Sequence, residues 1–452
     1  MDVLRTNIST SAMLDSAERF DAPRCHEGTR QAIIQRLMEW VESAGATKPI
    51  LWLFGAAGAG KSSIAHTFAE LLKQTLGVAP ASFFFSRGGR GEIQSDRLIS
   101  TLAYQLALTI PGFKRHICSS IETDPTIFSR NLESQMVALI VHPLEKLSSS
   151  SEISIIKQPA VLIIDGLDEC EGRDKQTYIL SILSTHLSKI QYPLLCMVAS
   201  RPECEIKNAF YQCSLSEITH LFALDVDYRA DDDIKLYLVQ KFQEIKSTHR
   251  IARYIPVDWP KKSFVHHILR RSSGQFVYAA TVIKFIQECR GNPVDRLDIV
   301  LNAKPAKQHT PFAELDALYT CILDSVDSSH IPHIHNILAY IFFLKNPFMV
   351  AFFTRSRSRF PWRHTAPGSL EEFWGYDQGY LYELLADVQA LIRLPEPDEE
   401  GDVRILHGSL EDYLLDKSRS LNYYLDRTEA FARLAGRCLE NILKYTSKNT
   451  VI

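Results

Sequence analysis

The sequence predicts an α/β protein: a parallel sheet with helices on both faces, then a helical annex and a winged-helix-like unit. Three observations predict it. Apolar runs at 50–54, 82–86, 160–165, 194–200 and 219–224 have the length and bulk of buried strands. Segments of helical apolar spacing, such as LISTLAYQLAL and YILSILSTHL, alternate with them, as in a parallel sheet covered on both sides. After about residue 230 the strand signal stops, and helical patterns continue to a pair of short strand-like runs, ALIRL and VRILH.

The elements follow in order. Residues 1–24 are polar with a weak helical pattern and read as a variable, loosely ordered leader. The spacing of Ile33, Ile34, Leu37, Met38 and Val41 predicts an amphipathic helix over 29–41, which Gly45 and Pro49 end before the first strand. Residues 25–229 then hold the strand and helix alternation. In the annex, 230–309, helices are predicted at 232–246, 261–271 and 275–289, with Trp259-Pro260 marking the start of the second. Over 310–420, helical patterns lead to ALIRL, a turn-forming PEPDEEGD and VRILH, hence the winged-helix-like unit. The final segment, 421–452, contains an amphipathic helix at about 427–445 with Phe431, Leu434, Cys438, Ile442 and Leu443 on one face. No internal repeat is visible.

Composition narrows the function classes. A chain of 452 residues, 46% hydrophobic, has apolar surface for two or three cores. A net charge of −3 gives no global attraction to nucleic acid or to an acidic membrane. The nine cysteines are odd in number, scattered and without a C-x-x-C pair, which argues against a disulfide framework and a zinc site and for a reducing interior. The first 30 residues lack an apolar core, and no run approaches the ~18 apolar residues of a membrane span. A cytoplasmic location is the expectation.

The chemistry concentrates in ILWLFGAAGAGKSSIAHTF, residues 50–68. Gly55, Gly58 and Gly60 fall with Lys61 and Ser62 in the spacing G-x-x-x-x-G-K-[ST] of a P-loop. Such a loop turns backbone N–H groups inward at a helix N-terminus and so suits a polyphosphate. The expected nucleotide-binding set is Gly55, Ala56, Ala57, Gly58, Ala59, Gly60, Lys61, Ser62 and Ser63. Lys61 would reach the β and γ phosphates, and Ser62 would ligate Mg²⁺. About a hundred residues on, AVLIIDGLDEC delivers Asp165 to a strand end, where a carboxylate can orient Mg²⁺. Asp168 or Glu169 could orient or deprotonate the attacking water. In LLCMVASRPE, Arg201 stands where a cation can sense the γ phosphate. Taken alone, these stretches also read as a solvated acidic loop and as a surface arginine before a proline turn.

With GAAGAGKS, VLIIDGLDE and VASRPE in this order, the sequence resembles a NACHT-type NTPase, a branch of the signal-transducing P-loop NTPases. It resembles fungal, nephrocystin N-terminal-like members further through CHEGTR (25–30), FFFSR (83–87), RRSSGQFVYAATVIKFI (270–286) and LHGSLEDYLLD (406–416). The resemblance spans roughly 24–445. It implies a sheet in which the strand ending at Arg201 lies between the P-loop strand and the Asp165 strand. It further implies an ATP/ADP-controlled switch whose winged-helix unit closes over ADP, opens on exchange and self-associates, with slow hydrolysis as the reset. Plant-type relatives carry G-x-P on the adenine; here the run is Gly274-Gln275-Phe276, so Phe276 packs either on a base or in the core. Leu406-His407-Gly408 resembles their Met-His-Asp motif, in which case His407 touches the β phosphate; otherwise His407 is a packed strand-end residue. Ser409 and Asp412 have capping-box spacing.

GTP is the weaker expectation, because no N-K-x-D stretch is available to read guanine. Two other classes stay open: a nucleotide-binding scaffold with little turnover, and a winged-helix DNA regulator. An excess of carboxylates over cations across 310–420 opposes the latter, with Arg355, Arg357, Arg359 and Arg363 as the local counter-argument. No repeat array or effector domain is recognisable, which reads as a reduced family member, a partner acting in trans or an incomplete gene product, with effector or sensor proteins in trans as a possible set of partners.

Overall fold

The computed structural model describes the chain apart from residues 18–21, 44–47, 76–79, 86–94, 150–158, 225–229, 273, 288–290, 303–311, 344–364, 396–400 and 449–452. Gly45, the end of FFFSR, most of PEPDEEGD and the cluster Arg355, Arg357, Arg359 and Arg363 lie outside the described residues. Two compact units emerge, one built from residues 1–89 and 93–229 and the other mainly from residue 230 onward.

The first unit is a five-stranded sheet: β1 (Ile50–Phe54), β2 (Ala81–Phe84), β3 (Ala160–Asp165), β4 (Leu194–Ser200) and β5 (Thr219–Ala223). Every pairing is parallel, and the order is β2-β3-β4-β1-β5. β4 therefore lies between β1 and β3, as the resemblance implies. Alternate side chains of each strand feed two cores, which is why these strands are apolar throughout rather than alternating with polar residues. On one face Leu51, Leu53, Ile163 and Met197 pack with the helices Gln31–Glu42 and Lys61–Thr75 through Leu37 and Phe68. On the other, Trp52, Leu162, Ile164 and Val198 meet Leu102 of the helix Leu98–Thr109 and Ile179 of the helix Arg173–Leu187. This is an α/β P-loop fold with a helical extension.

The leader departs from its expected looseness. A short helix, Asp2–Thr6, and a 3-10 turn, Thr10–Ala12, bury Leu4, Ile8 and Ala12 in the core beside the helix Leu98–Thr109. Arg97 and Ser100 donate to the carbonyls of Ile8 and Asn7, while Thr101 and Ser82 accept from the amides of Ser9 and Leu14. Three apolar side chains at a four-residue spacing, together with these hydrogen bonds, hold the segment despite its polar neighbours.

In the second unit the helices Ala230–Thr248, Lys262–Ser272 and Phe276–Gln287 pack on one another and are joined by Pro293–Asn302, Ala313–Asp324 and Ile331–Phe343. Two residues each of β6 (Ile392–Arg393) and β7 (Arg404–Ile405) form an antiparallel pair, and the helix Gly408–Leu414 follows directly. The last helix, Arg427–Lys448, faces inward with Ala430, Leu434 and Cys438, whereas Phe431 and Leu443 are more than half exposed. Its buried stripe is thus rotated from the one its bulkier residues predict, because Ala430 fits a close helix contact that Phe431 would not. No described helix is long and apolar enough to cross a membrane.

Candidate functional site

β1 ends at Phe54, the chain turns through Gly55–Gly60, and the helix Lys61–Thr75 begins at once. Gly58 and Gly60 hold φ of 76° and 91°, the left-handed region. At Gly60 an added Cβ would meet nothing within 4 Å, so the demand there is on backbone conformation and not on space. Lys61 arches back over the loop: its Nζ donates to the carbonyls of Gly55 at 2.8 Å and Ala56 at 2.9 Å. Ser62 and Ser63 occupy the first helical turn, half-buried, and Ala57 and Ala59 turn inward.

The acidic side is built from the neighbouring strand ends. Asp165 closes β3 opposite Ala199, and Phe54 lies opposite Ser200, so Gly55, Asp165 and Arg201 all leave the sheet at the same edge. Asp165 is buried. The turn after it needs glycine twice over: Gly166 has φ of 73°, and a Cβ would lie 3.2 Å from the carbonyl of Phe85. Asp168 turns to Arg201, accepting its amide at 2.9 Å through Oδ1 and lying 3.3 Å from its Nε through Oδ2. Glu169, next in sequence, is half-buried and donates its amide to Gly166 at 2.7 Å. The two neighbouring carboxylates differ in their surroundings: Asp168 is buried and bound to Arg201, whereas Glu169 is half-buried.

Three supporting residues escaped the sequence reading. Gln176 donates through its amide to the carbonyls of Asp168 at 3.3 Å and Cys170 at 2.8 Å, bracing the acidic turn. Trp52 Nε1 donates to Ser200 Oγ at 2.9 Å, tying β1 to the residue before Arg201. Arg30, buried and with φ of 58°, donates through Nη2 to the Ala59 carbonyl at 2.8 Å. Their partners are backbone atoms or distant side chains, which leave no periodic trace. For Arg30 the only signal is its place in CHEGTR.

Phe276 and His407 both belong to the second unit. Phe276 opens its helix, partly buried, with its ring edge-on to Tyr237 at 6.2 Å. It packs against the apolar cluster of its own unit. His407 precedes the helix Gly408–Leu414; its Nε2 is buried without a hydrogen-bond partner among the described residues. Burial of the ring, and then the nearby charge of Lys284, push its pKa down to about 4, so the imidazole is neutral at pH 7. Ser409 bonds Tyr319 at 2.8 Å, so its hydroxyl serves the core.

The donor set fits a magnesium nucleotide. Two left-handed glycines, an ammonium over the loop and a helix N-terminus suit phosphate. Ser62 and Asp165 carry hard oxygens of the kind Mg²⁺ takes, and that ion usually keeps most of its shell as water and phosphate oxygens.

A family model described as "Nephrocystin 3, N-terminal" matches residues 28–201, from just before Arg30 to Arg201 itself. No curated protein matches the chain. Among solved structures, it is similar to a signal transduction ATPase with numerous domains (STAND) carrying a tetratricopeptide repeat sensor, from Pyrococcus horikoshii, at 11% identity and a TM-score of 0.43. That alignment covers 94% of this chain and 46% of the archaeal one, so the chain spans about half that protein's length. It is also similar to Cdc6p from Pyrobaculum aerophilum (12% identity, TM-score 0.34, 91% of this chain and 98% of that one). A third is the Aeropyrum pernix ORC1 protein in complex with DNA (13%, 0.36, 91% and 95%).

Proposed function

We propose that the protein is a nucleotide-controlled switch of the NACHT type, binding ATP or ADP with Mg²⁺ at Gly55–Ser63 and Asp165 and hydrolysing ATP slowly. The observation that carries this reading is the phosphate loop itself: Lys61 curled over Gly55 and Ala56, on a strand two places from the one that ends in Asp165. In this reading Lys61 neutralises the β and γ phosphates, Ser62 and Asp165 hold the metal, Glu169 orients the water, and Arg201 answers to the γ phosphate. Bound Mg²⁺ would supply charge to offset that on the transferred phosphoryl group. The second unit acts as the cover in the ADP state, with His407 donating to the β phosphate, and its release on exchange permits self-association. Signalling in a fungal NLR-like system, in the cytoplasm and with effectors in trans, is the setting the sequence resemblance supports.

Mass spectrometry of the nucleotide released from purified, denatured protein tests this reading, combined with multiple-turnover ATP hydrolysis. ADP retained through purification, turnover below one per minute on the order of resting P-loop switches, and larger particles with a non-hydrolysable ATP analogue are expected. Retention of no nucleotide together with no measurable affinity for ATP or ADP would end it.

A further inference from the structure

The segment before the first long helix runs along the outside of the phosphate-loop helix. Arg24 pairs with Glu70 through Nε and Nη2 at 2.8 to 3.0 Å, and the Cys25 amide donates to Thr67 Oγ1 at 2.9 Å. Thr29 folds back on the His26 carbonyl through both its amide and its hydroxyl, closing a turn that delivers Arg30 inward. Arg30 then adopts φ of 58°, a conformation uncommon for a bulky side chain, and buries its guanidinium to reach the Ala59 carbonyl at 2.8 Å. A left-handed backbone and a buried guanidinium that reaches a carbonyl of the loop mark a specific task for this residue.

We propose that Arg30 is a positioning residue that holds the Gly60 amide in its phosphate-donating orientation. In a trans peptide the carbonyl of one residue and the N–H of the next lie in one plane and point in opposite directions. Anchoring the Ala59 carbonyl on Arg30 therefore fixes the Gly60 N–H in the opposite direction, away from Arg30. Gly60, with no Cβ and nothing within 4 Å of where one would be, could otherwise turn that plane at little cost. The helix does not supply the restraint, since the Gly60 carbonyl, and not its amide, is the group engaged there, accepting from Ile64. Lys61 secures the start of the loop at Gly55 and Ala56, and Arg30 secures its end. The strap 24–30 thereby makes phosphate affinity depend on a contact outside the P-loop motif.

This inference rests on the nucleotide-binding reading, and the experiment separates the two. Mg-ATP and ADP titrations are run on the full chain for the parent, Lys61→Ala, Arg30→Met and Arg30→Lys, with the ¹⁵N-glycine spectrum followed in each. Arg30→Met should weaken ATP and ADP alike by about tenfold, the effect of one hydrogen bond to a charged group, and should reduce the ADP-induced shift of the Gly60 amide. Arg30→Lys, which keeps one charged donor, should recover part of both. Parent-like affinity and a parent-like Gly60 shift in Arg30→Met would overturn the role of Arg30 while leaving the binding reading intact. If Arg30→Met does not fold, a parent-like Gly60 shift and affinity in a well-folded Arg30→Leu or, failing that, a uniform loss of all glycine shifts in Arg30→Lys would overturn it equally. A parent that binds neither nucleotide removes both.

Discussion

The sheet edge of the first unit and two histidines of the second show two ways of shielding polar groups from water. In the first, buried charges meet partners: Asp168 meets Arg201, and Arg30 meets a loop carbonyl. In the second, two half-buried imidazoles are kept neutral, with His335 and His407 both pushed down to about 4 by desolvation and then by a nearby cation, Arg433 and Lys284 respectively. A paired charge fixes geometry at a cost in desolvation, whereas a neutral buried histidine ties stability to pH. The comparison teaches where to look for precision and where for responsiveness. Fixed carboxylates and cations crowd the sheet edge, and two histidines that stay neutral down to about pH 4 sit in the helical unit.

The largest expected effect separates the adjacent carboxylates. Glu169→Gln should bind Mg-ATP as the parent does and hydrolyse it ~10²- to 10⁴-fold more slowly, as for the loss of a general base. Stopped turnover assays with matched calorimetry check this. Equal rates in variant and parent would return the catalytic task to Asp168 or to a residue supplied in trans.

Acid should act on the second unit next. For His335 and His407 the folded pKa lies near 4 and the ordinary value near 6.5, so below pH 6.5 the unfolded chain binds protons that the folded chain does not. The stability they contribute is complete above pH 6.5 and lost as the pH falls toward 4, roughly 3 kcal/mol for each at the limit. His220 in the first unit is lowered as well, by burial and then by Lys48 and Arg36, so the comparison is made by substitution. His335→Gln and His407→Gln should flatten the fall of the melting temperature between pH 6.5 and 4; unchanged slopes would place the acid sensitivity elsewhere.

Asp168→Asn comes third. Removing the negative charge beside Arg201, which is one-fifth exposed, should cost about 2 kcal/mol in chemical unfolding and loosen Arg201. A variant as stable as its parent would mean that the pair only orients. The smallest effect is assigned to His407→Ala, which should raise the ADP off-rate by about tenfold if its ring donates to the β phosphate in the closed state. A change in melting temperature with no change in off-rate would leave His407 as a packing residue.

How much of this the sequence displays depends on the range of the interaction. The strands of the first unit are legible because burial on both faces makes each a continuous apolar run, and the phosphate loop is legible because its residues are contiguous. Asp165 and Arg201 can be marked as strand-end residues, but their relation to other strand ends comes from the sheet order. The pairing of Asp168 with Arg201 spans 33 residues and is invisible to any local pattern. Arg30 and Trp52 are hidden for the same reason, and Gln176 because its partners are backbone carbonyls. In the last helix, pattern reading favours Phe431 over Ala430 because it weighs bulk, while the packed interface selects for fit. The leader is misread in the same sense: Leu4, Ile8 and Ala12 are too few to stand out, yet they meet a hydrophobic surface already formed.

The central claim is that the loop from Gly55 to Ser63 holds the nucleotide and that Lys61 supplies the charge for it. The direct measurement is isothermal calorimetry of Mg-ATP and of ADP on the parent and on Lys61→Ala, each checked for an unchanged melting profile without nucleotide. The account predicts saturable binding of both nucleotides by the parent and a loss of at least about a hundredfold in the variant, since the ammonium interacts with two phosphates at once. Equal affinities in the two proteins would contradict it.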